Sequence, residues 1–166
     1  EFFKTVSPSM DILISSNLER LIFELSGRNT ELTKARMEEL KSSGKYNISK
    51  QEKDILSNEF FANFTDEEDC IETIGDVFEE YGYLLDTHTA VAYNVAMSFK
   101  EFTNNENPIV VLSTASPYKF AHDVLSAISD KAPEDAFKCA NLLFEQTANP
   151  IPKQIAELKT KEKRFT

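Results

Sequence analysis

An α/β fold is what the sequence predicts, with this chain mostly α-helical around one strand at about 108–113 and a second near 2–6. Three observations carry that reading. Ser16-x-x-Glu19, Ser49-x-x-Glu52 and Thr65-x-x-Glu68 each have the form of a capping box opening a helix. Apolar residues then recur at helical spacing after each box. Ile109-Val-Val-Leu112 is short, β-branched and apolar, bounded by Asn107-Pro108 and Ser113-Thr114. That pattern reads as a strand buried on both faces, as in a parallel sheet. A lone buried strand cannot satisfy its own backbone, so its sheet partners are expected from a longer parent or from another chain.

The elements follow in order. Phe2-Phe3-Lys4-Thr5 reads as the second strand. Ser16 is expected to cap a helix with Leu18, Leu21, Ile22 and Leu25 on one face and Gly27 at its stop. Thr30 is expected to cap the next, with Leu32, Ala35 and Leu40 inward and an end at Ser42-Ser43-Gly44. Ser49 opens a third helix towards Ile55 and Leu56. Thr65 opens a fourth with Ile71, Ile74, Val77, Phe78 and Tyr81 inward, ending at Gly82. A fifth begins at Asp86 or Thr87 and runs through Ala90, Val91, Val95, Ala96 and Phe99. Ser116-Pro117 supplies a cap and a proline at the first helical position. Pro133 opens another helix with Phe137, Ala140 and Phe144. Pro150-x-Pro152 breaks the chain before a short helix around Ile155 and Leu158. Residues 27–82, rich in charge and caps, read as a helical insertion.

The 166 residues suffice for a real core. The net charge of −10 argues against a nucleic-acid surface. The stretch from Asp66 to Glu80 holds eight acidic residues and no basic one, as expected for a solvated helix face. No apolar run is long enough to span a membrane, and a cytoplasmic location is expected. Cys70 and Cys139 are far apart and read as two reduced thiols. Neither they nor His88 and His122 have metal-ligand spacing, so no metal site is expected.

Three groups of residues carry candidate chemistry. Thr114 stands at the carboxyl end of the expected strand, where open α/β folds place ligand contacts. Ser113 is the alternative, because a one-residue slip exchanges the faces of a strand. Ser9 and Asp11, with Ser16, Asn17 and Arg20 at a helix start, offer hydroxyls, an amide, a helix N-terminus and a guanidinium suited to an anion such as phosphate. The plainer alternative is a cap, a solvated amide and a surface ion pair. Asp86-x-His88-Thr89 places a histidine at a helix start, where it can orient a neighbour or serve only in packing.

Three segments, in this order, carry a family resemblance: Thr5-Val-Ser-Pro-Ser-Met-Asp-Ile-Leu-Ile-Ser-Ser-Asn-Leu-Glu-Arg20, Asp86-Thr-His-Thr-Ala-Val91 and Pro108-Ile-Val-Val-Leu-Ser-Thr-Ala-Ser-Pro-Tyr-Lys-Phe120. Together they resemble the C-terminal part of the threonine synthase family. The resemblance is close over 1–26 and 83–130, and loose or absent over 27–82 and beyond 131. It implies a pyridoxal-phosphate lyase that turns O-phosphohomoserine and water into threonine and phosphate. It further implies that Thr114, or Ser113 beside it, contacts the cofactor's pyridine nitrogen. Ser9, Asp11, Ser16, Asn17, Arg20 and His88 would form the substrate side.

The chain begins at Glu1 and reads as the C-terminal piece, 1–166, of such an enzyme domain. The family's Schiff-base lysine motif and a Gly-rich phosphate loop are not recognisable in it, and Lys119 is not in that motif. The parent is therefore expected to be the enzyme and to hold the cofactor. The isolated chain is expected to be inactive and to self-associate. A related pyridoxal-phosphate activity, or a non-catalytic helical interaction domain, are the competing readings.

Overall fold

The computed structural model describes residues 3–162. They form eight α-helices: α1 (Ser16–Leu25), α2 (Thr30–Ser43), α3 (Lys50–Glu59), α4 (Glu67–Tyr81), α5 (Thr87–Thr103), α6 (Ala121–Ile128), α7 (Ala136–Thr147) and α8 (Lys153–Leu158). Short 3₁₀ turns cover Pro8–Met10 and Pro117–Phe120. Two compact units result, one from residues up to Asp11 together with those from Asn63 on, the other from Ile12–Ala62.

No strand exists among the described residues, which corrects the expected strand at 108–113. The segment is not buried on both faces either: Val110 is 83% and Leu112 73% exposed. The physical reason is that a strand is a pairing, and nothing among the described residues lies alongside to complete a hydrogen-bonded ladder. The expected strand near 2–6 also fails over Phe3–Thr5, while Phe2 lies outside the described residues. Thr5 instead gives its N–H and its hydroxyl to the Asp11 carboxylate, at 2.7 and 2.8 Å.

The first unit has the apolar core. Cys70, Ile74 and Val77 of α4, Ala90 of α5, Val124 and Leu125 of α6, and Cys139 and Leu143 of α7 are all buried. Helix α4 packs against α5 and α6, and α6 against α7. Gly75 permits the close approach of α4 to α6, since a Cβ there would stand 2.9 Å from the Ala127 carbonyl oxygen. Burial pushes the Cys70 thiol up to about 11, with Asp86, Asp123 and Glu67 adding to the effect. It donates to the Thr87 carbonyl, and Cys139 donates to that of Pro133. Both are packing thiols.

The second unit is held differently. Its one buried apolar residue is Ile22, and α2 turns Thr33 and Arg36 inward. Leu32 and Ala35, expected inside, are exposed. Arg36 grips Glu52 of α3 with two parallel bonds of 2.7 Å. Glu52 also closes the capping box with Ser49, accepting from the Ser49 N–H at 2.7 Å.

Candidate functional site

The chain from Leu84 to Ala90 is buried throughout. Gly82, left-handed at φ +65°, ends α4, and Asp86 then starts α5 in extended conformation. A carboxylate suits this position because it satisfies orphan N–H groups at the positive end of a helix. Asp86 Oδ1 accepts from the N–H groups of His88 and Thr89, at 3.0 and 3.4 Å. Its Oδ2 accepts from the Thr89 hydroxyl.

His88 is committed at both ring nitrogens. Nε2 accepts from the Ser9 N–H at 3.0 Å, which assigns the ring proton to Nδ1. Nδ1 lies 3.3 Å from both Asp86 Oδ1 and Thr87 Oγ1. Phe120 covers the ring, with centroids 4.6 Å apart. His88 therefore pins the turn Pro8–Met10 onto the start of α5 rather than presenting a free nitrogen. Asp11 likewise staples its own loop through Thr5.

Thr114 reaches the same place from the far side of the sequence. Its N–H points to Thr89 Oγ1 at 3.4 Å, while the residue itself is exposed. Ser113 and Val111 line a pocket of about 360 Å³ together with Thr89, Tyr81, Tyr83 and Tyr93. Val110 and Leu112 are the exposed alternates. Ser113 and Thr114 are both exposed, but of the two only Ser113 lines this pocket. Sequence reasoning quoted Thr89 but gave it no role. The available signal was a hydroxyl three residues after a helix-capping aspartate, the spacing that lets the two side chains meet.

Ser16, Asn17 and Arg20 belong to the unit 12–62. The cap of α1 is Ser15, whose hydroxyl accepts from the Leu18 N–H at 3.3 Å, so the expected cap at Ser16 moves by one. Arg20 Nη2 donates to Asn17 Oδ1, and its Nε to the Ser16 carbonyl at 3.4 Å. All three residues are exposed, beside a groove of about 680 Å³ between α1 and α2. Among the described residues, no group of three or more His, Cys, Asp or Glu side chains is placed to hold a metal ion. No helix among them is long and apolar enough to cross a membrane.

Comparison with known proteins agrees with the motif resemblance and extends it. Residues 89–166 match the family described as threonine synthase, C-terminal. That includes 131–166, where the motifs alone show little likeness. A threonine synthase of Pseudomonas aeruginosa is 34% identical over 155 residues, 93% of this chain and 33% of that protein. Human threonine synthase-like 1 is 35% identical over 77% of this chain and 17% of its own length. Among solved structures, a pyridoxal-phosphate-bound threonine synthase from Brucella melitensis superposes with a TM-score of 0.76 at 34% identity. It covers all of this chain and 32% of its own. The yeast threonine synthase gives 0.77 at 31% identity, over 99% of this chain and 33% of its own. The chain thus spans about a third of the length of the threonine synthases it matches. The chain belongs to the threonine synthase family, and what it represents there is the family's C-terminal region.

Proposed function

We propose that this chain is the C-terminal part of a pyridoxal-phosphate enzyme that converts O-phospho-L-homoserine and water to L-threonine and phosphate. The observation that carries this reading is the likeness, over 93% of the chain, to a 34% identical threonine synthase; Thr114 stands exposed, with its backbone tied to the buried start of α5. Such a tip fits one hydroxyl contact to the cofactor's ring nitrogen. Bound there, the cofactor supplies an electron sink for the amino acid's carbanion chemistry. A hydroxyl at the nitrogen tempers that sink, because it does not hold the nitrogen protonated as a carboxylate does. Ser113, on the pocket side, lies beside that contact.

The four glycines do not form a phosphate cradle. Gly27, Gly44 and Gly82 end helices at positive φ, and Gly75 serves the contact of α4 with α6. In this reading the phosphate loop and the reactive lysine belong to the rest of the protein, and residues 1–166 alone are expected to be inactive. Arg20, with Asn17 and Ser16, offers a guanidinium for the substrate's phosphate or carboxylate. Ser9, Asp11 and His88 act by shaping the loop that bounds the site.

The full-length protein, loaded with pyridoxal phosphate and given O-phosphohomoserine, is expected to release phosphate and threonine in equal amounts. Phosphate without threonine would favour a different lyase activity, a reading that the likeness to threonine synthase-like 1 keeps open. The isolated 166-residue chain is expected to self-associate, because Val110 and Leu112 stand exposed beside an unpaired backbone. Light scattering that shows a monomer at high concentration would refute this.

A further inference from the structure

Asp86 and Thr89 make more bonds than a helix cap requires. A threonine hydroxyl has one proton and two lone pairs. Here the proton goes to Asp86 Oδ2, so Thr89 Oγ1 can meet Thr114 N–H only as an acceptor. The direction of the chain is therefore set: Thr114 N–H to the Thr89 hydroxyl to the Asp86 carboxylate. Both supporting residues are shielded from water, Asp86 at 1% and Thr89 at 2% exposure. The carboxylate is itself held by two N–H groups of α5, so it cannot turn away without losing them. The segment that Thr114 ends has little apolar anchorage on its open side, where Val110 and Leu112 face outward.

We propose that Asp86 and Thr89 are positioning residues that fix the Thr114 backbone, and thereby the place where the Thr114 hydroxyl meets the cofactor's ring. The second half rests on the function proposed above; the first half does not. Thr89→Val keeps the shape of the side chain and removes the hydroxyl. Thr89→Ser keeps the hydroxyl. Asp86→Asn replaces an acceptor by a group whose N–H can donate to Thr89 Oγ1 and compete with Thr114.

The test uses the full-length protein in two states. Without cofactor, the Thr114 amide is expected to exchange roughly tenfold faster in Thr89→Val than in Thr89→Ser or wild type. With pyridoxal phosphate bound, Thr89→Val is expected to shift the cofactor's absorption band. It should also lower kcat on O-phosphohomoserine roughly tenfold, with KM moved less. Thr89→Ser should restore both, and Asp86→Asn should fall between. An unchanged amide in Thr89→Val overturns the anchoring. A serine variant as impaired as the valine variant also overturns it, since the hydroxyl would then be irrelevant. If Thr89→Val does not fold, a wild-type amide and band in Asp86→Asn overturn it. A wild type that binds the cofactor but ignores O-phosphohomoserine refutes the proposed reaction alone, because the amide and band comparisons still decide the anchoring.

Discussion

Thr114→Asp in the full-length protein is expected to lower turnover of O-phosphohomoserine by about a hundredfold, with cofactor affinity far less affected. A carboxylate at residue 114 would hold the ring nitrogen protonated, which changes how electrons are drawn from the substrate. Thr114→Ala should cost less, about two- to tenfold, because it only removes one neutral hydrogen bond. Cofactor affinity should survive both changes, since in the proposed function the phosphate and lysine contacts come from elsewhere in the protein. Ser113→Ala is the control. Ser113 shares the pocket side with Val111, so its loss should leave turnover nearly unchanged. Steady-state kinetics beside a cofactor titration decides the matter. Normal turnover in Thr114→Ala with an impaired Ser113→Ala would show that Ser113, not Thr114, makes the contact.

Arg36→Ala is expected to destabilise the unit 12–62 by about 3 kcal/mol. The side chains of Arg36 and Glu52 are only 8% and 7% exposed, and truncating one leaves the other covered and unpaired. Deeply buried pairs cost about 3–5 kcal/mol to break this way, and the lower end applies because a small helical unit covers this one thinly. The unit has little else to rely on, with Ile22 as its buried apolar residue.

The same pair dictates a pH dependence. The hydrogen bonds from Arg36 are the main reason that the Glu52 carboxyl titrates low, at about 2 against an ordinary 4.5. A group whose folded value is depressed stabilises above its unfolded value. The contribution is therefore complete above about 4.5 and is lost as pH falls towards 2. Hydrogen exchange of the α2 and α3 amides, measured across that range, should show protection falling in wild type and already low in Arg36→Ala. Equal protection in both proteins at neutral pH would sink the idea.

Local chemistry accounts for what was legible. Helix stops at Gly44 and Gly82 need a left-handed residue, and glycine adopts one without strain, so these ends were visible in the sequence. The box Ser49-x-x-Glu52 was legible for the same reason, since both of its bonds are made within four residues. Other caps moved by one: Ser15 for Ser16, Asn29 for Thr30, Asp66 for Thr65. Two neighbouring residues there can each cap, and the path of the incoming chain chooses between them. At Thr65 the choice is visible, because its hydroxyl is given to Asn94 of α5 instead.

By itself, then, the sequence determined the helices, the glycine stops at Gly44 and Gly82, and the three motifs that point to the threonine synthase family. Those features depend on contacts between near neighbours. Tertiary structure decided the rest. Residues 109–112 have the composition of a strand, but a strand exists only when another backbone pairs with it, and none does among the described residues. Arg36 has the composition of surface, yet Glu52, sixteen residues away, draws it inside. Thr89 and Thr114 are separated by twenty-five residues, and only the fold brings the hydroxyl of one to the amide of the other. Periodicity encodes which face of a helix turns inward, but not which distant polar group waits there to be satisfied.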